Sequence, residues 1–254
     1  MRDYINEVSA DKIFFNIRKS IVSKVKAHIY NPFDSFTIEA FSRGKELKID
    51  FSDGKNTKCM CFSMGMSGNW NMTNTGTEMK HTHFMIDSVN GETLGLVDTR
   101  RFAKWKWTNW NYSRGYDIVA DTQNFLNYIN NITDEKLLNL PLYQILMNQS
   151  IFSGVGNYLR AEILYRNDIN PFLKFKEVNK NNKFLLNIKD IILEAYYIGG
   201  GELKDWKNPF HDNEEIKFEE WLQCYGKKEM ETFIDESGRK LWYNKKWNTN
   251  NKNI

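Results

Sequence analysis

One change of rhythm along the chain limits its fold more than any other feature. Apolar residues alternate singly in the first part and recur at helical spacing in the second. Leu47, Ile49 and Phe51 are interleaved with Lys48 and Asp50, the pattern of a strand with one wet face, because successive side chains of an extended backbone point to opposite sides. Residues 57–64, 83–87 and 94–97 continue the strand pattern. Asp53-Gly54 and Asn90-Gly91 punctuate these runs and suit tight turns, since both pairs tolerate positive φ. Ahead of the strands, Val8, Phe14, Ile17 and Ile21 predict a helix over 8–21, with Asn6 as its cap and Glu7 in its first turn.

From about residue 130 the spacing turns helical. Thr133 is the expected cap of a helix with Asp134 and Glu135 in its first turn, and Pro141 suits the first turn of a second helix running to 149. Gly154-Val155-Gly156 breaks the pattern before Asn157 opens a helix through Arg166. A longer helix is predicted over 182–197, with Leu185, Ile188, Ile192 and Ala195 on one side and Gly199, Gly200 and Gly201 as its stop. Residues 199–216 predict a mobile loop, Phe218 to Leu222 a helical turn, 229–234 and 240–243 two strands joined around Gly238, and the tail after Trp247 a frayed end. The fold class is therefore α+β: strands with a flanking helix, then a helical middle, then a small hairpin.

Composition narrows the function classes. Apolar residues make up 41% and charged residues 26% of 254 residues, which excludes disorder throughout. No stretch approaches the ~18 consecutive apolar residues of a membrane span. The first twenty residues lack the apolar block of a secretory leader. The three cysteines are Cys59, Cys61 and Cys224. They are too few for a four-cysteine zinc site and too sparse for a disulfide scaffold, so no metal is expected and a reducing intracellular compartment is. Cys59 and Cys61 flank Met60 as neighbours on one strand face. The net charge of +3 is weak by itself. Basic residues concentrate at Arg100, Arg101, Lys104 and Lys106 and again at Arg239, Lys240, Lys245 and Lys246. Each cluster reads either as a polyanion-binding patch or as an ordinary solvated face.

The most informative passage is QSIFSGVGNYLRAEILYR over 149–166, followed by Ile169-Asn170-Pro171. Glycines let a backbone approach a bulky anion, and a helix start presents unpaired N–H groups to it. A plain helix–helix connection is the alternative. This passage resembles the helix–two-turn–helix motif of the Fpg/Nei DNA glycosylases. The resemblance implies that Asn157 grips phosphates beside the damaged nucleotide, that Gly154 and Gly156 shape the loop, and that Glu162 is structural.

The resemblance runs along nearly the whole chain. RGKEL around Lys45 resembles a hairpin of the Nei-like branch whose lysine approaches the lesion strand. MGMSG and DTRRF resemble the segments that carry the void-filling residues, here Met66, Arg100 and Phe102. Such residues occupy the stack vacated by a flipped nucleotide. Read without the resemblance, Met66 and Phe102 are core residues. Trp221 to Gly226 and Asp235 to Tyr243 resemble the branch's zincless finger, with Phe233, Trp242 and Tyr243 as its packing residues and Arg239 as the phosphate clamp. A guanidinium fork suits that bidentate contact. Lys204 is the candidate contact to the flipped base.

The organisation so implied is an N-terminal catalytic-type β-sandwich over 1–115, a linker over 116–130, a helix–two-turn–helix domain over 131–222, the finger over 223–247 and a tail over 248–254. The implied function is removal of oxidised bases by a glycosylase and AP lyase using Schiff-base chemistry and β- then δ-elimination. The implied partner is damaged duplex or abasic-site DNA, bound by a monomer without cofactor, away from membranes and in the nucleus if the source is eukaryotic.

One departure bears on the chemistry. Where the family opens with Met-Pro-Glu-Gly-Pro-Glu and uses the proline amine, this chain reads Met1-Arg2-Asp3-Tyr4-Ile5-Asn6-Glu7. An α-amine with a pKa of about 7.7 to 8.0 keeps a useful neutral fraction. The candidate catalytic residues are therefore the Met1 amine, Lys45 as a second amine, and Asp3 in place of the glutamate. The alternatives are an altered start, or a catalytically impaired homologue that binds damaged DNA.

Overall fold

The alternating pattern is realised as two four-stranded antiparallel sheets within Met1–Asn111. The computed structural model describes residues 1–21, 23–65, 67–200 and 218–248. Among these, the first unit holds α1 (Arg2–Ser9), β1 (Phe14–Lys19), β2 (Thr37–Arg43), β3 (Glu46–Ser52), β4 (Thr57–Ser63), β5 (Gly68–Asn74), β6 (Thr82–Ser88), β7 (Glu92–Asp98) and β8 (Lys104–Trp107). One sheet runs β1-β6-β7-β5 and the other β2-β3-β4-β8. Along β3 the apolar Leu47, Ile49 and Phe51 are buried while Lys48 and Asp50 are not. Their inward faces build a core crossed by edge-to-face rings. Phe62 of β4 lies 5.2 Å from Trp70 of β5 and 5.1 Å from Phe84 of β6, a geometry that aromatic quadrupoles favour. This is a sandwich, with sheet packed on sheet through alternate residues. The turns at Gly54 (φ 86°) and Gly91 (φ 76°) close two hairpins as expected. Cys59 and Cys61 share the half-exposed face of β4, with Met60 buried between them.

The helix expected over 8–21 is not formed. α1 ends at Ser9, and Phe14–Lys19 is an edge strand paired with β6. A bulge explains the misreading. Between Phe14↔Ser88 and Asn16↔Asp87 the strand advances two residues against one, so Phe14 and Ile17 both face the core at a spacing of three that imitates a helix. Nor does Asn6 cap a helix. Its amide accepts from the Ala40 N–H at 2.6 Å and donates to the Ala40 carbonyl at 3.0 Å, completing the open side of edge strand β2.

The second unit comprises most of the chain from Tyr112 onward. It contains α2 (Thr122–Asn130), α3 (Glu135–Leu138), α4 (Leu142–Ile145), α5 (Asn157–Arg166), α6 (Asn182–Tyr197), α7 (Phe218–Trp221), and the antiparallel pair β9 (Glu231–Ile234) and β10 (Lys240–Tyr243). Helices α5 and α6 match their predicted spans. Helix α2 lies where a linker was expected, because only Phe125 and Ile129 of its nine residues are buried and the rest are largely polar. Asp134, not Thr133, caps α3, its carboxylate accepting the Lys136 N–H at 2.8 Å. Helix α4 stops at Ile145, short of the predicted 149.

Phe125, Leu142, Ile145, Phe152, Ile163, Phe184 and Ile188 form the core of this unit, and Leu241 of the hairpin is buried within it. Each such buried side chain contributes roughly 1.5–3 kcal/mol. An isolated two-stranded hairpin is marginal in water, and here aromatic rings hold it. Phe233 lies 5.5 Å from Tyr143, Tyr243 lies 5.4 Å from Phe172, and Trp242 lies 4.4 Å from Tyr225. Among the described residues no helix is long and apolar enough to cross a membrane, and no group of three or more His, Cys, Asp or Glu could hold a metal ion. The predicted loop beyond Gly200 and the tail beyond Asn248 lie outside the described residues.

Candidate nucleic-acid interface

In the second unit the glycine turn is held by Gln149. Its side-chain oxygen accepts the Gly154 N–H at 3.2 Å and its nitrogen donates to the Val155 carbonyl at 2.9 Å. Gly154 needs its freedom here, with φ at 100°. Gly156 is extended at the N-cap and makes no side-chain cap bond, so the cap itself supplies no side-chain acceptor to the first-turn N–H groups of α5. Asn157, the first residue of α5, donates from Nδ2 to the Lys240 carbonyl at 2.9 Å and accepts at Oδ1 from Arg160 at 2.5 Å.

Arg160 has no exposed surface. Its Nη1 donates to Asp235 at 2.6 Å. The turn that carries Arg239 winds around that same carboxylate. Asp235 Oδ1 accepts the N–H of Ser237 at 3.0 Å and of Arg239 at 2.9 Å, and the Ser237 hydroxyl at 2.6 Å. Burial opposes ionisation of Asp235, but the hydrogen bonds from Ser237, Arg160 and Arg239 outweigh it and hold the carboxyl far below its usual range. Arg239 itself is exposed and donates from Nη1 to the Ser237 hydroxyl at 2.9 Å.

Glu162, two residues further along α5, is also fully buried. Its carboxylate accepts the backbone N–H groups of Gln223 at 3.0 Å, Cys224 at 2.8 Å and Tyr225 at 2.9 Å. Arg166 adds an ion pair to it at 3.3 Å.

In the first unit, Arg43↔Glu46 closes a two-residue turn with Gly44 at φ 54° and Lys45 exposed at its tip. The loop after β7 is organised by Asp98, which is wholly buried. Its carboxylate accepts the N–H of Arg100 at 3.1 Å and of Ala103 at 2.6 Å, and the hydroxyl of Ser67. The structure thus ties the segment containing Ser67 to the DTRRF segment. Burial resists the charge on Asp98, and the bonds from Ala103, Ser67 and Arg100 prevail, keeping the carboxyl below its ordinary range.

Phe102 is 51% exposed, with the Arg100 guanidinium 5.9 Å from its ring. The core reading of Phe102 therefore fails. Gly65 packs beneath it at φ 62°, where an added Cβ would lie 2.7 Å from the Phe102 Cβ. Met66 and Lys204 lie outside the described residues. Met1 is half-buried at the N-cap of α1, and burial lowers its amine below the ordinary value against the opposing charge of Asp3. Asp3 pairs with Arg2 at 2.7 Å.

Sequence reasoning missed Gln149, Asp98, and the Arg160–Asp235 pair. A signal for Arg160 was present: it and Glu162 alternate with Leu159, Ala161 and Ile163, all buried, and charges within an apolar run must find partners.

A two-sheet sandwich followed by a helical unit, with a glycine turn entering a helix and a hairpin bonded to that helix, defines a class of DNA-repair enzyme with known representatives. Residues 9–105 match the family described as formamidopyrimidine-DNA glycosylase N-terminal domain, and residues 216–246 match that described as endonuclease VIII-like 1, DNA bind. Endonuclease 8-like 1 of Homo sapiens is 30% identical over 276 residues, spanning 94% of this chain and 69% of its own. Formamidopyrimidine-DNA glycosylase of Zymomonas mobilis is 29% identical over 223 residues, spanning 84% of this chain and 78% of its own. The Lactococcus lactis Fpg (MutM) in complex with a Fapy-dG-containing DNA shares the fold, with a TM-score of 0.72 and 17% identity, over 95% of this chain and 94% of that one. The chain belongs to the Fpg/Nei family of DNA glycosylases.

Proposed function

We propose that this protein is a base-excision repair glycosylase and AP lyase that removes oxidised bases from duplex DNA. The observation that carries the lesion-handling reading is Phe102, a half-exposed ring mounted on a turn anchored by a buried carboxylate. An exposed ring held this rigidly fits a wedge for the gap left by a flipped nucleotide. In this reading Arg100, Phe102 and Met66 fill the void, Lys204 contacts the flipped base, and Lys45 approaches the lesion strand. Asn157 and Arg239 grip the flanking phosphates, with Gly154 and Gly156 shaping the turn. The 17%-identical relative bound to Fapy-dG-containing DNA supports the choice of partner.

The chemistry begins when an unprotonated amine attacks C1′ and forms a C–N bond. The glycosidic electrons leave with the base, which takes up a proton. The C1′–O4′ bond then breaks, O4′ taking its electrons and a proton while the nitrogen lone pair forms the C=N bond. After loss of a C2′ proton, this iminium expels the 3′- and then the 5′-phosphate by β- and δ-elimination. The Met1 amine and Lys45 are the candidate nucleophiles, and Asp3 is the candidate proton carrier. The protein acts as a monomer inside the cell, in the nucleus if the source is eukaryotic.

Borohydride tests this directly. Incubation with an oligonucleotide carrying an oxidised pyrimidine or an abasic site should trap a covalent adduct on Met1 or Lys45, located by peptide mapping. Tight abasic-site binding with neither adduct nor strand nick would leave a damaged-DNA binder instead.

A further inference from the structure

Arg160, like Glu162 a fully buried charge on α5, bonds to Asn157 directly and to the turn of Arg239 through Asp235. Its Nη2 reaches Asn157 Oδ1 at 2.5 Å, while Nη1 reaches Asp235 at 2.6 Å and the Tyr143 carbonyl at 3.2 Å. The second oxygen of Asp235 in turn holds the N–H of Arg239 at 2.9 Å.

We infer that Arg160 is a positioning residue for DNA binding, fixing the Asn157 amide as a donor and, through Asp235, the turn that presents Arg239. The inference rests on the phosphate-gripping role proposed above for Asn157 and Arg239. Phosphate oxygens only accept hydrogen bonds, so a useful asparagine must offer its NH2 group and keep its oxygen occupied elsewhere. Arg160 occupies that oxygen. One Nδ2 hydrogen goes to the Lys240 carbonyl at 2.9 Å, and the second is the donor for a phosphate. Among the described residues the Nε of Arg160 is buried without a hydrogen-bond partner, and the guanidinium is placed by Asn157, Tyr143 and Asp235. A lysine ammonium keeps the charge but lacks the planar pair of terminal nitrogens that serves Asn157 and Asp235 together.

The test is binding of the full chain to a duplex containing a tetrahydrofuran abasic analogue, measured across a salt series. Asn157→Ala and Arg239→Ala should each weaken binding roughly tenfold. Arg239→Ala should also lower the slope of log affinity against log salt by about one, the signature of a lost phosphate contact. Arg160→Lys keeps the net charge and removes no exposed charge. It should nevertheless weaken binding and flatten the slope as Arg239→Ala does, which loss of stability alone does not produce.

In the Asn157→Ala, Arg239→Ala background the Arg160→Lys change should cost less than about twofold more, because it acts through those two side chains. Should Arg160→Lys not fold, Asp235→Asn serves in its place and should flatten the slope in the same way. Wild-type affinity and slope in the Arg160→Lys or Asp235→Asn variant overturns the inference, as does a full additive loss in the double background. Wild-type binding by both Asn157→Ala and Arg239→Ala overturns instead the phosphate-gripping reading beneath it.

Discussion

The buried carboxylate of Glu162 accepts the backbone N–H of Cys224 at 2.8 Å. Through this bond and those to Gln223 and Tyr225, one side chain of α5 orders the segment that leads into the hairpin. Glu162→Gln keeps the shape but replaces one acceptor oxygen with an NH2 that faces backbone donors. We expect a loss of about 2–4 kcal/mol in urea denaturation and faster proteolysis within residues 222–230. An unchanged denaturation midpoint sinks this account of Glu162.

Phe102 separates the wedge from the core. Because its ring is 51% exposed, Phe102→Ala should change stability by no more than about 0.5 kcal/mol while sharply reducing lesion excision. A buried packing residue would give the opposite result: a truncation cost of about 3–5 kcal/mol and normal activity in the folded fraction. Thermal melts and excision assays on the same preparation decide between them.

Gly65→Ala strikes the same turn from below. The added methyl group would meet the Phe102 Cβ at 2.7 Å, on a backbone at φ 62°. The left-handed conformation alone costs about 1–2 kcal/mol for a residue with a Cβ, and the clash must move Phe102 as well. Both stability and excision should fall. A variant that melts like the parent and excises normally contradicts the close packing of Gly65 beneath Phe102.

Acid should weaken the first unit through Asp98 and Asp87. Burial disfavours the charge on Asp87, and bonds from Arg18, Thr93 and Asn16 more than offset it, so both carboxyls titrate below their ordinary range. Groups depressed on folding contribute stability that is fully present above the unfolded pKa of about 3.9 and is lost as pH falls through the folded value. Urea midpoints should therefore hold steady from pH 7 to about 5 and decline below about 4, by up to about 1.4 kcal/mol per pH unit for each group. Asp98→Asn should lower the plateau and shallow the decline. A midpoint indifferent to pH between 4 and 2 in the parent protein would falsify the assignment.

Much of this architecture could be read from the chain because local pattern and tertiary demand agree. Helix α6 buries Leu185, Ile188 and Ala195 on one side, and β3 alternates without interruption. Legibility failed where one extra residue or one polar surface disguised the period. The bulge in β1 put Phe14 and Ile17 three apart, and α2 buries only two residues. Arg160–Asp235 was hidden for a different reason: its partners are 75 residues apart in sequence, and no local spacing reports such a contact. The roles of Asn157, Arg239, Arg100 and Phe102 came from resemblance in the motifs that carry them, whereas composition and spacing supplied only turns, glycines and positive charge.

Asn157 is bonded to the carbonyl of Lys240, 83 residues further along the chain. A ribosome releases the chain in order from its first residue, so helix α5 emerges long before the residue that completes its first turn. Until Asp235 is free the guanidinium of Arg160 lacks its carboxylate, and until Lys240 is free the asparagine lacks one of its two partners. A partly synthesised chain can therefore hold the sandwich while Asn157 and Arg160 still wait for Lys240 and Asp235.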